Sequence, residues 1–233
     1  MKKDRLALCA ALTATILTLS ACSSPDSEES TSPSSTEASH AHAEHGEGHD
    51  GEHSHDGFEA AEGETEVAEL PHRILLSHKN GLTTLDGETG EVIESEGLKA
   101  FLRLSDAGDN RHIMVTKGDS FLTFDTGRIT KPHGDHKHYY AAQPQLLSAA
   151  IDAPHAGHVV HHDGFTALFS DGDGVARIYK TEDIGKEDAK PVNTVETGAA
   201  HHGVAVPLKD GSVVTTKGTE DERHTIQHLD KSG

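Results

Sequence analysis

The chain has 233 residues, with 39 Asp and Glu against 20 Lys and Arg, a formal net charge of −19 and 20 histidines. That sign repels phosphate backbones and excludes a general affinity for nucleic acid. Its two cysteines, Cys9 and Cys22, both sit near the start, which excludes a disulfide framework or a thiolate metal site in the body; metal chemistry there must use imidazole and carboxylate.

In chain order, Met1 to Arg5 is basic, and Leu6 to Leu19 is an apolar stretch too short to span a bilayer as a mature helix. "LSAC" (19–22) resembles a bacterial lipobox. It implies a lipoprotein signal peptide over 1–21, lipidation of the Cys22 thiol, and an extracytoplasmic protein anchored to the cell membrane. Residues 22–71 then hold fourteen Asp or Glu and no Lys or Arg. So acidic a segment, poor in large apolar residues, buries too little surface to offset its ordering entropy, and residues 22–70 are expected to form a disordered tether.

Within that tether "HAHAEHGEGHDGEHSH" (40–55) carries His40, His42, His45, His49, His53 and His55 among glycines and acids. Neutral imidazole is a good borderline ligand for Zn²⁺, and the interleaved carboxylates concentrate cations. A plain spacer needs no histidine, as Ser23 to Ser39 shows.

From residue 71 to 233 short β-type runs follow, with no sustained helical period: "HRILLSH" (72–78), "GLTTLD" (81–86), "EVIES" (91–95), "AFLRLS" (100–105), "HIMVTK" (112–117) and "SFLTFD" (120–125). A histidine-bearing loop precedes "HVVHHDG" (158–164), "FTALFSDG" (165–172), "VARIYK" (175–180), "GVAVPL" (203–208) and "SVVTTKG" (212–218). Gly-Asp, Asp-Gly and Lys-Gly pairs between them are hairpin chemistry. Strands this short and evenly spaced indicate an all-β sandwich, barrel or propeller. A loose repeat, begun again every 45 to 60 residues or so, favours the propeller over the sandwich. The expected fold is therefore all-β, a partial β-propeller of about three to four blades after a disordered N-terminal region. With so few blades the ring is incomplete, and the chain reads as a fragment truncated at its C-terminal end.

Histidines cluster where strands start. "KPHGDHKHYY" holds His133, His136 and His138 around Asp135; "APHAGHVVHHDG" holds His155, His158, His161 and His162; "ETGAAHHGVAVPL" holds His201 and His202. In a propeller these strand entries line the central channel, so residues distant in sequence are expected to converge there. The alternative for each is a structural histidine bridging neighbouring strands.

"HGDH" (133–136), "PHAGHVVHHDGFTALFSDGDG" (154–174) and "AHHGVAVP" (200–207) are similar to the extracytoplasmic zinc metallochaperones of the AztD type, β-propellers preceded by a histidine- and acid-rich segment. The resemblance implies delivery of Zn²⁺ to the solute-binding protein of a zinc ABC importer. It implies metal ligands among His133, His136, His158, His201 and His202, with Asp135 as a ligand or as a carboxylate holding an imidazole tautomer. The tether would then act as a low-affinity collector that surrenders its ion by stepwise ligand exchange.

Two other classes compete with a carrier. A metal-dependent propeller hydrolase needs a carboxylate poised as general base. Yet Asp171, Asp173 and Asp210 lie in Gly-rich turn contexts, "DGDG" (171–174) lacks the remaining ligands of a calcium loop, and no nucleophile elbow, P-loop or dinucleotide fingerprint is present. The chain is therefore not expected to be an enzyme. The second alternative is an interaction module with incidental histidines.

Overall fold

Strands with one apolar face pair and stack until that face is covered, and short turns make neighbours in sequence neighbours in space. The computed structural model describes residues 60–231. The expected signal peptide, Cys22 and the histidine segment of residues 40–55 lie outside the described residues. Among the described residues no helix is long and apolar enough to cross a membrane.

Strand β1 (Thr65–Val67) comes first, within what composition assigns to the tether. A three-stranded meander follows: β2 (Arg73–His78), β3 (Gly81–Asp86) and β4 (Val92–Gly97). The next blade starts with β5 (Arg103–Asp106), β6 (His112–Lys117) and β7 (Ser120–Asp125). The chain then leaves it for a hairpin, β8 (Arg128–His133) and β9 (His136–Ala141), and returns as β10 (Gln145–Asp152), antiparallel to β7. A third blade is β11 (Ala156–His162), β12 (Phe165–Ser170), β13 (Val175–Lys180) and β14 (Asn193–Glu196). A fourth is β15 (Ala205–Pro207), β16 (Val213–Lys217) and β17 (Thr225–Leu229).

The described residues thus form four antiparallel blades and one accessory sheet, in which β1 pairs with β9 and β9 with β8. First strands of successive blades stack: β11 packs beside β5 on one side and β15 on the other. This is the all-β partial propeller that the strand spacing predicts. The tether, by contrast, does not run unstructured to residue 70. Thr65–Val67 is captured by the β8–β9 hairpin, a partner that no local pattern announces.

The core lies between blades, and the period of two explains it. In β12, Leu168 points to the second blade, where it and Tyr179 of its own blade join Met114 and Phe121. Its neighbours Ala167 and Phe169 point to the fourth blade, where they meet Ala205 and Val213. Leu82, Leu102, Val115 and Phe124 join the first blade to the second. One half-buried ion pair ties the start of β6 to the end of β7. Arg111 donates two hydrogen bonds to the Asp125 carboxylate, at 3.0 and 2.6 Å, and the Gly127 N–H adds a third at 2.8 Å. The "DGDG" run is a turn: Asp173 accepts the Val175 N–H, and Gly174 adopts φ 65° where a Cβ would lie 2.5 Å from the Ala199 carbonyl oxygen.

Candidate metal centre

The accessory hairpin carries the first cluster. His133 and His136 are cross-strand partners at its end, joined through Gly134 and Asp135, and Gly134 takes the positive φ of 58° that so tight a turn requires. His138 is two residues beyond His136, so the period of two puts all three imidazoles on one face. The Nε2 atoms of His136 and His138 are 3.1 Å apart, and His133 Nδ1 is 3.2 Å from His138 Nε2. Two nitrogens bound to one tetrahedral zinc at about 2.0–2.1 Å stand about 3.3–3.4 Å apart. The spacing is therefore near that of a coordinated triad, and the three ligand atoms all lie within 4.8 Å of one another.

Proton accounting sharpens this. His138 Nδ1 is 2.7 Å from Glu66 Oε1, and His136 Nδ1 is 3.2 Å from Asp135 Oδ1. Carboxylates only accept, so each of these nitrogens carries the proton and each Nε2 turns a lone pair toward the other. His133 can place its Nδ1 proton between itself and His138 Nε2. A divalent cation would be held by three nitrogen lone pairs once the His133 proton sits on its Nε2 instead. The Asp135 side chain is fully exposed, which makes it a weak support, whereas His138 is only 25% exposed.

A second cluster joins the third and fourth blades. His158, on β11, and His202, on the loop before β15, bring their Nε2 atoms to 3.1 Å. Asp171 receives the His202 Nδ1 proton at 2.6 Å through Oδ2 and the Gly203 N–H at 3.2 Å through Oδ1. The His202 lone pair again faces a partner imidazole. Burial, then the neighbouring His202 and Arg103 charges, lower the pKa of His158 against the opposing pull of Asp171, which favours the neutral, ligand-competent ring. This cluster opens onto a cleft lined by His155, Glu220 and Arg223.

The clusters do not merge. The hairpin triad is the one set of three ligating groups found close together among the described residues. His136 thus belongs to a different cluster from His158 and His202, because the hairpin leaves the second blade and pairs with β1 in a sheet of its own. His201 is 1% exposed, its Nδ1–H donates to the Ala199 carbonyl at 2.8 Å, its Nε2 lies 3.1 Å from the Thr216 hydroxyl, and its ring meets Phe169 edge-on. His162 Nδ1 bonds the Pro207 carbonyl across two blades at 3.0 Å, and His112 Nδ1 bonds Asp109 at 2.5 Å. The segment bearing His40, His42, His45, His49, His53 and His55 lies outside the described residues.

Sequence reasoning placed His138 in a cluster without choosing it as a ligand, and it missed Glu66 and Asp171. The alternation His136–His138 signals the first. Glu66 carries no local signal, since it arrives from 72 residues away.

No family model matches the chain. It is 28% identical over 144 residues to the zinc chaperone AztD of Citrobacter koseri, covering 60% of this chain and 34% of that protein. Among solved structures, Citrobacter koseri AztD superposes with a TM-score of 0.60 at 24% identity, over 69% of this chain and 44% of that one. Apo AztD from the same organism gives 0.59 at 23% identity, over 70% and 45%. The chain therefore spans between a third and a half of the length of these relatives. At these identities the superpositions show the fold alone. The chain is thus similar in sequence to the zinc chaperone AztD over 144 residues and shares its fold over the superposed part.

Proposed function

We propose that the chain is an extracytoplasmic zinc chaperone whose tight site is the hairpin triad His133, His136 and His138. The observation that carries this reading is the convergence of three imidazole nitrogens at near-coordination spacing, two of them backed by carboxylates. His158 and His202 form a second, two-nitrogen site oriented by Asp171. His201 is a packing residue, since both of its nitrogens are engaged within the protein.

The tether histidines collect Zn²⁺ loosely, and the lipid on Cys22 keeps the protein at the membrane where the importer works. The acceptor is the solute-binding protein of a zinc ABC importer. The similarity to a zinc chaperone supports zinc over other divalent ions, since imidazole alone would favour Cu²⁺. Carriage is favoured over hydrolysis because the candidate acids are spent on structure: Asp171 on His202, Asp173 on Val175 and Arg177, Asp210 on Ser212.

The test is zinc titration of the full chain in competition with a chromophoric chelator. We expect a tight class that His136→Ala and His138→Ala each remove, and a weaker class that they spare. A tight class surviving both substitutions would refute the reading.

A further inference from the structure

Strand β1 has only three residues, yet it and the residue before it present two carboxylates, Glu66 and Glu64, to the face that carries the triad. Glu66 stands opposite Tyr140 on β9 and therefore diagonal to His138. Its Oε1 lies 2.7 Å from His138 Nδ1. Glu64, two residues earlier, bonds the Lys131 ammonium at 2.6 Å, and Lys131 is the cross-strand partner of His138. One carboxylate thus holds a ligand imidazole while the other neutralises the cation beside it. Metal-bound histidines characteristically donate their second N–H to such a carboxylate, which fixes tautomer and ring plane and raises ligand basicity.

We propose that Glu66 is the positioning residue of the triad, holding His138 as its Nδ1–H tautomer so that Nε2 faces the ion. The hairpin alone supplies three imidazoles, and β1 supplies the group that makes the central one a committed ligand. Because β1 begins ten residues after His55, the chain that would collect the ion leads directly into the strand that prepares its site. The inference rests on the metal-binding reading of the triad, and one set of experiments separates the two.

In the zinc-free, ¹⁵N-labelled full chain, two-bond ¹H–¹⁵N correlation reads the His138 tautomer without any metal. The expected result is a dominant Nδ1–H form in the parent, a mixed population in Glu66→Ala, and recovery in Glu66→Gln, whose amide oxygen still accepts the proton. Zinc affinity of the tight class should fall about ten- to a hundredfold in Glu66→Ala and less in Glu66→Gln. The His158 and His202 resonances, on other blades, should not move and report that the fold is intact. If His138→Ala leaves the tight class in place, the metal-binding reading itself falls. If His138→Ala removes it but Glu66→Ala keeps the parent tautomer, the role of Glu66 is overturned, whatever happens to affinity.

Discussion

Replacing His201 with alanine separates a ligand from a packing residue at adjacent positions. His201 is 1% exposed, and a Cβ added at Gly203 would approach its Nε2 to 2.7 Å, so the neighbourhood has no slack. The Ala199 carbonyl accepts the Nδ1 proton, which leaves Nε2 to accept from the Thr216 hydroxyl; neither nitrogen keeps a lone pair for an ion. Truncation removes two hydrogen bonds worth about 0.5–1.5 kcal/mol each and an edge-on contact with Phe169 worth a similar amount. Together with a partly collapsed cavity, the expected loss is about 2–4 kcal/mol. Equilibrium urea unfolding would show this as a midpoint lowered by about 1 M or more. Both classes of zinc site should persist in titrations run well below that midpoint. A variant as stable as the parent but short of one zinc class would refute the assignment and restore His201 to the ligands.

Other expectations concern the supports and the tether. Asp171→Ala frees the His202 ring and should weaken the two-nitrogen site about ten- to a hundredfold while sparing the hairpin, as read by Co²⁺ absorption of each class. Deleting residues 40–55 should slow zinc delivery to the importer's binding protein in stopped-flow transfer, with the tight class unchanged; unaltered rates would remove the collector from the scheme. Acid stability should depend on Asp125. Burial raises its pKa, but the Arg111 hydrogen bonds and the Gly127 N–H outweigh that and hold it below the ordinary carboxylate range. A depressed folded pKa gives stability that is complete above the unfolded value, about 3.9, and lost as pH falls toward the folded one. Asp125→Asn should therefore lose stability at pH 7 and flatten the acid limb of a thermal-melt profile below about pH 4.

The blades were legible because their strands alternate and their turns use glycine. "SFLTFD" and "FTALFS" both fall on observed strands, β7 and β12. In sequence the hairpin β8–β9 reads as a loop, since "RITKPH" and "HKHYYA" replace apolar residues with Lys, His and Pro132 on a sheet with little core to cover. Strand β1 was invisible, because three residues carry no period and the partner strand is distant in sequence. At the sites, blade starts suggest that all three clusters meet, whereas only His158 and His202 do so and the hairpin triad stands apart. What local sequence could not show is the direction of neighbours: His202 faces His158 while His201 turns inward onto Phe169. Nor could it show that the Gly-rich turn acid Asp171 is shared between a backbone N–H and an imidazole.

Incomplete coordination suits the proposed carrier, and among the described residues both proposed centres are open to solvent. A structural zinc site closes four ligands around its ion and stabilises the fold, so release requires unfolding the cage. The hairpin offers three nitrogens, with the His136 side chain 56% exposed, and the blade pair offers two, with His202 48% exposed. At the hairpin, an acceptor ligand can enter a fourth position before any donor leaves, and the number of bonds to the ion need never fall below three. The carboxylates behind His138 and His202 then carry the remaining burden. They hold the rings in ligand form when the ion departs, so the emptied site keeps its shape for the next ion. On this reading affinity is set by the orientation of a few exposed imidazoles, and exchange rate by their exposure, which lets the two be tuned by different residues.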